Sequence, residues 1–388
     1  MAGMTARTTD VSKSFIKFQV PVNPDVLIVG GGVVGAACAR EFALAGRKVT
    51  CVEPGGTTGQ GWQAAAGMLA PQVEGSEDDP LLEIGLAGRE WHMVNREPLK
   101  QTTGIEVGLN ICGILSLAST AAEAEQLKTL VAWQRQHGLY CDWLVPEEIK
   151  DRWPWAPESL GGHHAPEDGS VDPVRLVRAL VEDADRLGVQ RIEDRIVSLE
   201  LENGRVVGAR GRERYPAGAV VLAAGAWSGR IGNLPRPVSV EPVRGQMIAL
   251  PRPAELQEDT IVYSGTGHYI LTRGDELLAG TTVEHAGFDA TPTPEGIASI
   301  RKGAETLCPP TRGRAVLRSW AGLRPGTPDG LPIIGPEPRA EGLWYATGHG
   351  RNGVLLAGIT GTVLLQMMAR EATLESIAAF RPERFWSR

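Results

Sequence analysis

The segment that most constrains the fold runs from Asp25 to Pro54 and reads DVLIVGGGVVGAACAREFALAGRKVTCVEP. An apolar strand, a glycine-rich turn, a helix and a second strand ending at Glu53 follow one another, which is the order of a dinucleotide-binding βαβ unit. In such a unit Gly30 permits the tight turn, Gly32 lets the backbone approach a pyrophosphate, and Gly35 lets the helix pack on the sheet. Glu53 stands where a carboxylate accepts hydrogen bonds from a ribose diol. The segment therefore predicts an α/β domain that binds a dinucleotide; the alternative is a glycine-rich turn that only packs tightly.

Composition excludes several other classes of protein. The 388 residues are 42% hydrophobic and 22% charged, which is the balance of a globular protein and not of a disordered or fibrous one. The net charge of -7 is spread without long runs of one sign, so we expect neither a nucleic-acid partner nor a membrane surface. The five cysteines show no CxxC spacing, which indicates reduced thiols in a cytoplasmic protein and no metal site.

Residues 1–24 precede the βαβ unit and lack the continuous apolar core of a signal peptide or a membrane span. We expect a loose N-terminal arm there. Its alternating FIKFQV stretch also allows a strand at a sheet edge or between subunits, so a homo-oligomer stays open.

Local signals along the rest of the chain predict two interleaved domains. A capping box at Thr120 starts an amphipathic helix, and Asp172 followed by proline starts another. The pairs Asn203-Gly204 and Gly274-Asp275 each join two apolar runs as hairpin turns. We assign the dinucleotide-binding domain to residues 25–90, 165–240 and 320–388, and a substrate domain to residues 91–164 and 241–319.

A loop of small residues, GGTTGQGWQAAAGMLAP, follows the βαβ unit from Gly55 to Pro71. Such residues allow close approach to a flat ring, although AAAGM is also compatible with the first turn of a helix. In this loop the chain resembles the glycine oxidases of thiamine biosynthesis, the ThiO type within the D-amino-acid oxidase superfamily, where an AAAGM segment lies against the flavin. The resemblance covers most of the chain from Asp25 onward. It implies an α/β fold in which an FAD-binding Rossmann-like domain of the GR2 type is interleaved with an antiparallel-sheet α+β substrate domain.

The C-terminal segment YATGHGRNGVLLAGITGTVLLQMMAR predicts a strand, a glycine loop and a long helix that starts at Val354. The positive end of that helix can hold negative charge, and in the similar oxidases it lies beside the flavin edge that becomes anionic on reduction. The resemblance implies that FAD is bound without a covalent link, and that the backbone of Val197 meets its adenine. The implied cofactor contacts are Gly30, Gly32, Val33, Val34, Gly35, Glu53, Pro54, Gly61, Trp62, Ala66, Gly67, Met68, Val197, Gly225, His349, Gly350, Arg351, Asn352, Gly353, Val354 and Leu355.

The segment WAGLRPGTPDGLPIIG sets Arg324 among small, apolar and proline residues. On its residues alone, Arg324 is either a solvated loop arginine or an anion-binding group, whereas the resemblance places it where these oxidases bind the substrate carboxylate. A guanidinium can grip a carboxylate through two parallel hydrogen bonds, which fixes both distance and rotation. The resemblance also implies that Tyr269 and Arg351 lie near the substrate. A half-buried core tyrosine and an exposed loop arginine remain open alternatives.

Two neighbouring positions bear on the substrate pocket. His268 precedes Tyr269 in a strand, so the two side chains are expected on opposite faces. Gly61, Trp62 and Val283 depart from the similar oxidases, which often have small hydroxylated residues before AAAGM and a bulkier methionine at the last position. These departures leave the size of the substrate open.

No Ser/His/Asp, Cys/His or HExxH arrangement appears in the sequence, so hydrolysis and metal chemistry have no obvious apparatus. The resemblance implies that FAD carries the reaction and that no side chain is catalytic. Glycine would lose a hydride from its α-carbon to the flavin, and oxygen would accept the electrons, giving glyoxylate, ammonia and hydrogen peroxide in thiamine biosynthesis. The alternatives are an oxidase of N-substituted glycines, other secondary amines or larger D-amino acids; an FAD-dependent dehydrogenase; and a non-catalytic flavin-binding redox sensor.

Overall fold

The computed structural model describes residues 24–386, so the predicted N-terminal arm and its FIKFQV strand lie outside the described residues apart from Pro24. The strands are β1 (Val26–Val29), β2 (Val49–Glu53), β3 (Met68–Leu69), β4 (Ile114–Leu117), β5 (Asp142–Leu144), β6 (Gly162–Ala165), β7 (Gly169–Ser170), β8 (Gln190–Glu193), β9 (Ser198–Glu202), β10 (Arg205–Arg210), β11 (Arg214–Pro216), β12 (Ala219–Leu222), β13 (Glu241–Pro251), β14 (Ile261–Ser264), β15 (Tyr269–Arg273), β16 (Glu276–Gly280), β17 (Arg318–Gly326), β18 (Ile333–Pro336) and β19 (Leu343–Thr347). The α-helices are α1 (Val33–Leu44), α2 (Gly61–Ala64), α3 (Leu81–Thr103), α4 (Ala121–Gln136), α5 (Pro146–Arg152), α6 (Pro173–Arg186), α7 (Pro294–Leu307) and α8 (Ala357–Ala369). Short 3-10 turns occupy Gly225–Arg230, Pro309–Thr311, Gly350–Asn352, Glu375–Phe380 and Pro382–Phe385.

A six-stranded sheet with the order β18-β19-β12-β1-β2-β8 holds the N-terminal βαβ unit. All its pairs are parallel except β18 with β19. Because both faces of β1 are covered, its sequence VLIV is continuously apolar: Val26 and Ile28 pack under the helices, and Leu27 and Val29 pack under the sheet β11-β10-β9. This arrangement confirms the predicted Rossmann-like domain.

An eight-stranded sheet with the order β17-β13-β16-β15-β14-β4-β6-β5 forms the other half of the fold. Its pairs are antiparallel apart from β14 with β4. Alternation along β13 separates its faces, since Ile248 and Leu250 share a core with α7, whereas Met247 and Ala249 share one with Ala66 and its loop. The second face is therefore turned toward the Rossmann-like domain, and the predicted α+β partner domain is confirmed.

Local signals fixed several elements as predicted. Thr120 and Glu123 form the capping box of α4, and the Asp172 side chain accepts hydrogen bonds from the first-turn amides of α6. Asn203 and Gly204 have φ angles of 51° and 77°, as the predicted two-residue hairpin requires. Regular helix α8, by contrast, begins at Ala357 and not at Val354.

Three of the predicted domain boundaries fall inside elements. The boundary at 164/165 lies within β6. Helix α3 crosses the boundary at 90/91, and its buried Ile84, Trp91 and Leu99 belong to the core beneath α1 and α6. Strand β17 crosses the boundary at 319/320 and pairs with β13 along its whole length. The division into five alternating segments otherwise remains a prediction.

Among residues 24–386, no helix combines the length and the apolar character that crossing a membrane requires. The cytoplasmic location and the homo-oligomer left open by the sequence stay predictions.

Candidate active site

Three cavities follow one another between the two large sheets. The nucleotide cavity, of about 100 Å³, lies beside Glu53; the central cavity, of about 120 Å³, lies beside His349; and the outer cavity, of about 470 Å³, lies beside Tyr263. Trp62 lines the first two cavities and Arg324 lines the last two, so the three are continuous. A cleft of this form has room for an extended dinucleotide with a substrate beyond it.

Most residues predicted to contact the cofactor line these cavities. The nucleotide cavity takes Gly30, Gly32, Glu53, Pro54, Gly61, Trp62 and Gly225; the central cavity takes Gly32, Val33, Val34, Gly61, Trp62, His349, Gly350, Arg351, Gly353 and Val354; the outer cavity takes Ala66, Gly67, Met68, Gly350, Arg351, Asn352 and Val354. Gly35, Val197 and Leu355 line none of the three. Contact of the lining residues with FAD itself remains a prediction.

The glycine turn before α1 is built so that only glycine fits. Gly30 has a φ of 105°, and a Cβ there would lie 2.4 Å from the carbonyl oxygen of Ala223. A Cβ on Gly35 would lie 1.8 Å from the Gly30 carbonyl oxygen, so this glycine sets helix packing, as predicted, without lining the cavity. Gly32 is the N-cap of α1 and offers no side-chain cap. The amides of the first helical turn therefore remain available to an anion in the cavity.

Glu53 lies at the end of β2 with its carboxylate held in place. The amide of Gly31 donates to Glu53 Oε2 over 2.7 Å, and Gln60 Nε2 donates to Glu53 Oε1 over 2.5 Å. Burial raises the pKa of Glu53, against the lowering effect of these two hydrogen bonds. A carboxylate has further lone pairs, so Glu53 can still accept hydrogen bonds from a ribose.

The predicted contact of the Val197 backbone with adenine stays a prediction. The Val197 amide donates to the Arg210 carbonyl, and its carbonyl accepts from the Gly232 amide, so the amide is already engaged and only the second lone pair of the carbonyl is left for an adenine. Ile196 lines the nucleotide cavity instead. Within residues 24–386, neither of its backbone polar groups has a hydrogen-bond partner, which leaves them available to a base.

In the loop of small residues, α2 ends at Ala64, so the rest of AAAGM is not helical, and hydrogen bonds hold it in place. Ala65 is extended after the single turn of α2, and Gly67 has a φ of 79°. Trp320 Nε1 donates to the Ala64 carbonyl over 3.1 Å, and Arg273 donates to the Ala66 carbonyl over 2.5 Å. These bonds tie the loop to the eight-stranded sheet, which fixes its position against the central and outer cavities.

The C-terminal loop reaches the cavities through His349. This ring is buried, and its Nε2 lies 3.0 Å from Thr360 Oγ1; burial lowers the pKa of His349 to about 3, so the ring is neutral near pH 7. His92 Nε2 lies 2.9 Å from the Val354 carbonyl and positions the start of α8. Leu355 turns away from the cavities, because it packs over Gly85 and Gly88 of α3.

Arg324 projects from β17 into both the central and the outer cavity. Its Nη2 donates to Thr281 Oγ1 over 2.7 Å and its Nη1 donates to the Thr282 carbonyl over 3.1 Å. Among the described residues, no carboxylate forms an ion pair with it. Burial lowers the pKa of Arg324, but an arginine remains charged. The site therefore holds a half-buried positive charge that has no ion-pair partner among the described residues.

Tyr269 and Arg351 share the cavities with Arg324. The Tyr269 hydroxyl donates to Met247 Sδ over 3.0 Å, and burial raises the pKa of Tyr269 to about 12, so it stays protonated. Arg351 Nε donates to Glu74 Oε2 over 2.5 Å. The predicted substrate residues are thus brought together, but Arg351 already has an acidic partner.

The two neighbouring positions behave as their strands require. His268 packs against Gly303 of α7, on the face opposite to the cavities, as predicted. Val283 lines the outer cavity and is 72% exposed, so it leaves that cavity wide.

Sequence reasoning missed several residues of the site, among them Ile196, Gln60, Thr281 and Glu74. Glu74 had a signal, because it is the first acid after Glu53 and follows a stretch of small and apolar residues. Thr281 had none, since its contact with Arg324 joins positions 43 residues apart.

Comparison with known proteins was consistent with this geometry. The family model DAO, FAD dependent oxidoreductase, matches residues 25–367. A glycine oxidase of Geobacillus kaustophilus is 36% identical over 363 residues, covering 92% of this chain and 96% of that one. A bifunctional ThiO/ThiG protein of Synechocystis is 36% identical over 369 residues; the match covers 93% of this chain but 54% of that protein. The crystal structure of glycine oxidase from Geobacillus kaustophilus matches with a TM-score of 0.88 at 33% identity, over 93% of this chain and 99% of that one.

Proposed function

The chain belongs to the DAO family of FAD-dependent oxidoreductases, and we propose that it is a glycine oxidase. The observation that carries the substrate class is Arg324, a half-buried guanidinium that lines the central and outer cavities and has no ion-pair partner among residues 24–386. A charge in this state is complementary to a carboxylate. Similarity to glycine oxidases of 36% identity supports glycine as the amino acid.

The residues present fit FAD. The uncapped N-terminus of α1 at Gly32 suits the pyrophosphate, the Ile196 backbone suits the adenine, and Glu53 suits a ribose. The small side chains of Ala65 and Ala66 line the central and outer cavities, where a flat ring system needs close approach. When bound, FAD supplies the electron acceptor for hydride removal from the substrate α-carbon and passes the electrons to oxygen.

The chain's own residues bind and orient the substrate. Arg324 holds the carboxylate, and because Thr281 and Thr282 fix its guanidinium, the α-carbon is held at a set distance and rotation. Tyr269 remains protonated and can donate its hydroxyl to the carboxylate. Among the described residues, Glu74 is the one carboxylate that lines the outer cavity, none lines the central cavity, and Arg351 engages Glu74. Because no unengaged carboxylate is present to take the amine proton, we expect this proton to pass to solvent before hydride removal.

The overall reaction consumes glycine, oxygen and water and releases glyoxylate, ammonia and hydrogen peroxide. The relative that joins ThiO and ThiG in one protein supports a role in thiamine biosynthesis for the imine that forms before glyoxylate and ammonia are released. The chain spans 54% of that relative, so the proposal covers the oxidation step only.

The outer cavity favours a second set of substrates. Its volume of about 470 Å³ is shared by the flavin ring and the substrate, and Val283 at its edge is small and 72% exposed, which leaves that side of the cavity open. N-substituted glycines or larger D-amino acids would use the same Arg324 contact and place their substituents in this space.

Anaerobic mixing of the FAD-loaded protein with glycine, N-methylglycine and D-alanine tests the proposal. We expect the visible flavin absorption to bleach with glycine and to recover rapidly in air, with one glyoxylate and one hydrogen peroxide formed per glycine. Slow recovery in air would identify a dehydrogenase. Failure of every amino acid to bleach the flavin would leave a flavin-binding redox sensor.

A further inference from the structure

The ion pair between Glu74 and Arg351 closes one side of the outer cavity, and the proposed reaction makes no use of it. The two residues are 277 positions apart; Glu74 lies in the segment after β3 and Arg351 in the 3-10 turn before α8. Both side chains line the outer cavity. The Glu74 side chain is 14% exposed and the Arg351 side chain is 52% exposed, so the carboxylate is the more deeply placed partner.

The charges around the outer cavity match a substrate with one carboxylate. Among the described residues that line it, the charged side chains are Arg324, Arg351 and Glu74, which sum to one positive charge. An amino acid with a neutral amine and one carboxylate balances that charge. A second carboxylate would leave the cavity with an excess negative charge and would find no unengaged cation among the described lining residues, since Arg351 is paired with Glu74.

Glu74 therefore has an effect that reaches beyond its own ion pair. Burial raises the pKa of the half-buried Tyr263, and the negative charge of Glu74 raises it further; at Tyr269 burial raises the pKa, Arg324 lowers it, and Glu74 makes a smaller raising contribution. Without Glu74, Arg351 would be a second unengaged cation in the same cavity as Arg324.

We propose that Glu74 is a specificity determinant: by engaging Arg351, it restricts this site to amino acids that carry a single carboxylate and rejects those with an anionic N-substituent. The inference rests on the proposed function, because it assumes that Arg324 takes the substrate carboxylate. In this proposal Arg351 could bind a second carboxylate of the substrate, but Glu74 already pairs with it.

The binding of two ethers that the enzyme cannot oxidise tests the proposed selectivity against a second carboxylate without turnover. Methoxyacetate has the shape of N-methylglycine with one carboxylate, and oxydiacetate has the shape of N-carboxymethylglycine with two. Calorimetric titration of the FAD-loaded protein gives the ratio of their dissociation constants. We expect Glu74→Gln to shift this ratio toward oxydiacetate by about tenfold or more, since one negative charge leaves the cavity.

The matched control is Glu77→Gln, which removes the same charge from an exposed position on the same segment. We expect it to leave the ratio unchanged. The double variant Glu74→Gln/Arg351→Gln is expected to lose the gain, because the second anion site is then absent. If Glu74→Gln does not fold, Arg351→Gln alone should shift the ratio the other way, since Glu74 is then unneutralised.

An unchanged ratio of dissociation constants in both Glu74→Gln and Arg351→Gln would overturn the proposed role of Glu74. Turnover of glycine and N-carboxymethylglycine is measured in parallel. If wild type oxidises no amino acid, the proposed function fails, whereas the ether titration still decides whether Glu74 selects against a second carboxylate.

Discussion

Replacing Arg324 by methionine should remove most of the activity without a matching loss of stability. In the substrate-free protein the guanidinium is half-buried, and its contacts are two hydrogen bonds to Thr281 and Thr282 without an ion pair. Methionine has a similar length and needs no partner, so the variant loses the carboxylate contact but also the desolvation of an uncompensated charge.

The magnitudes follow from this geometry. Removing one partner of a buried ion pair typically costs about 3 kcal/mol or more, and here the missing partner is the substrate, so kcat/KM should fall at least about a hundredfold. The two lost hydrogen bonds to a charged group contribute about 1.5–3 kcal/mol each, and desolvating an unpaired charge costs several kcal/mol, so the two effects largely offset each other. The free energy of unfolding should therefore change little.

Peroxide formation with glycine and urea unfolding of the FAD-loaded protein measure the two quantities on the same samples. Arg318→Met is the matched control, because Arg318 lies on the same strand, is 52% exposed and pairs with Glu276; it should alter both quantities little. Arg324→Lys should recover part of the activity, since an ammonium supplies charge without the two-pronged geometry. An amine that lacks a carboxylate should be oxidised equally slowly by all variants. If Arg324→Met loses stability while keeping near-normal kcat/KM, the arginine is structural and the substrate assignment fails.

Four further outcomes are expected. Gly32→Val should fold but lose FAD, because added atoms enter the cavity beside Trp62, 3.3 Å from a Cβ at this position; flavin content unchanged after gel filtration would contradict this. Denaturation should release all FAD, because a covalent link would need a nucleophilic side chain beside the flavin, and the thiol of Cys308 is fully buried and lines none of the three cavities. Flavin left on the denatured chain would disprove this. Thr281→Val should raise the KM for glycine about tenfold through loss of one hydrogen bond to a charged group, whereas Thr281→Ser should not. Burial lowers the pKa of His163 from 6.5 to about 4, so between these values the unfolded chain binds a proton that the folded chain does not, and stability is lost as the pH falls through this range. His163→Leu should therefore raise the free energy of unfolding in urea by about 2 kcal/mol more at pH 5 than at pH 8. An equal effect at both pH values would refute the argument.

The parts of the fold that sequence predicted are those set by local backbone requirements. Gly30 needs a positive φ and close approach to Ala223, and no other residue satisfies both. Asp172 caps α6 through amides two and three residues away. These signals lie within a few residues of the structure they determine, so they can be read without knowing the rest of the chain.

The parts that sequence did not predict depend on contacts between distant segments. The Val197 backbone is hydrogen-bonded to Arg210 and Gly232, whereas the Ile196 backbone has no such partners among the described residues. These long-range bonds make Ile196 a further candidate for the adenine contact. The engagement of Arg351 joins it to Glu74 across 277 residues. The predicted domain boundaries stay predictions; those at 90/91, 164/165 and 319/320 fall within the continuous elements α3, β6 and β17, which no local signal at these positions had indicated.

The surroundings of Arg324 explain how the fold retains a charge that has no ion-pair partner among the described residues. A Cβ on Gly245 would lie 2.1 Å from Arg324 Nη1, so the guanidinium rests flat on a strand that has no side chain at that point. The neighbouring Gln246 is fully buried and donates to Glu284, which in turn pairs with Arg244, so the wall behind the guanidinium is itself a satisfied polar network. Thr281 donates to the Gln246 carbonyl and accepts from Arg324, which joins the network to the charge. Because every polar group behind Arg324 already has a partner, the one direction in which it can gain a strong interaction is the cavity. The desolvation of the guanidinium is therefore recovered only when a carboxylate binds, and the fold directs that recovery to the reacting molecule.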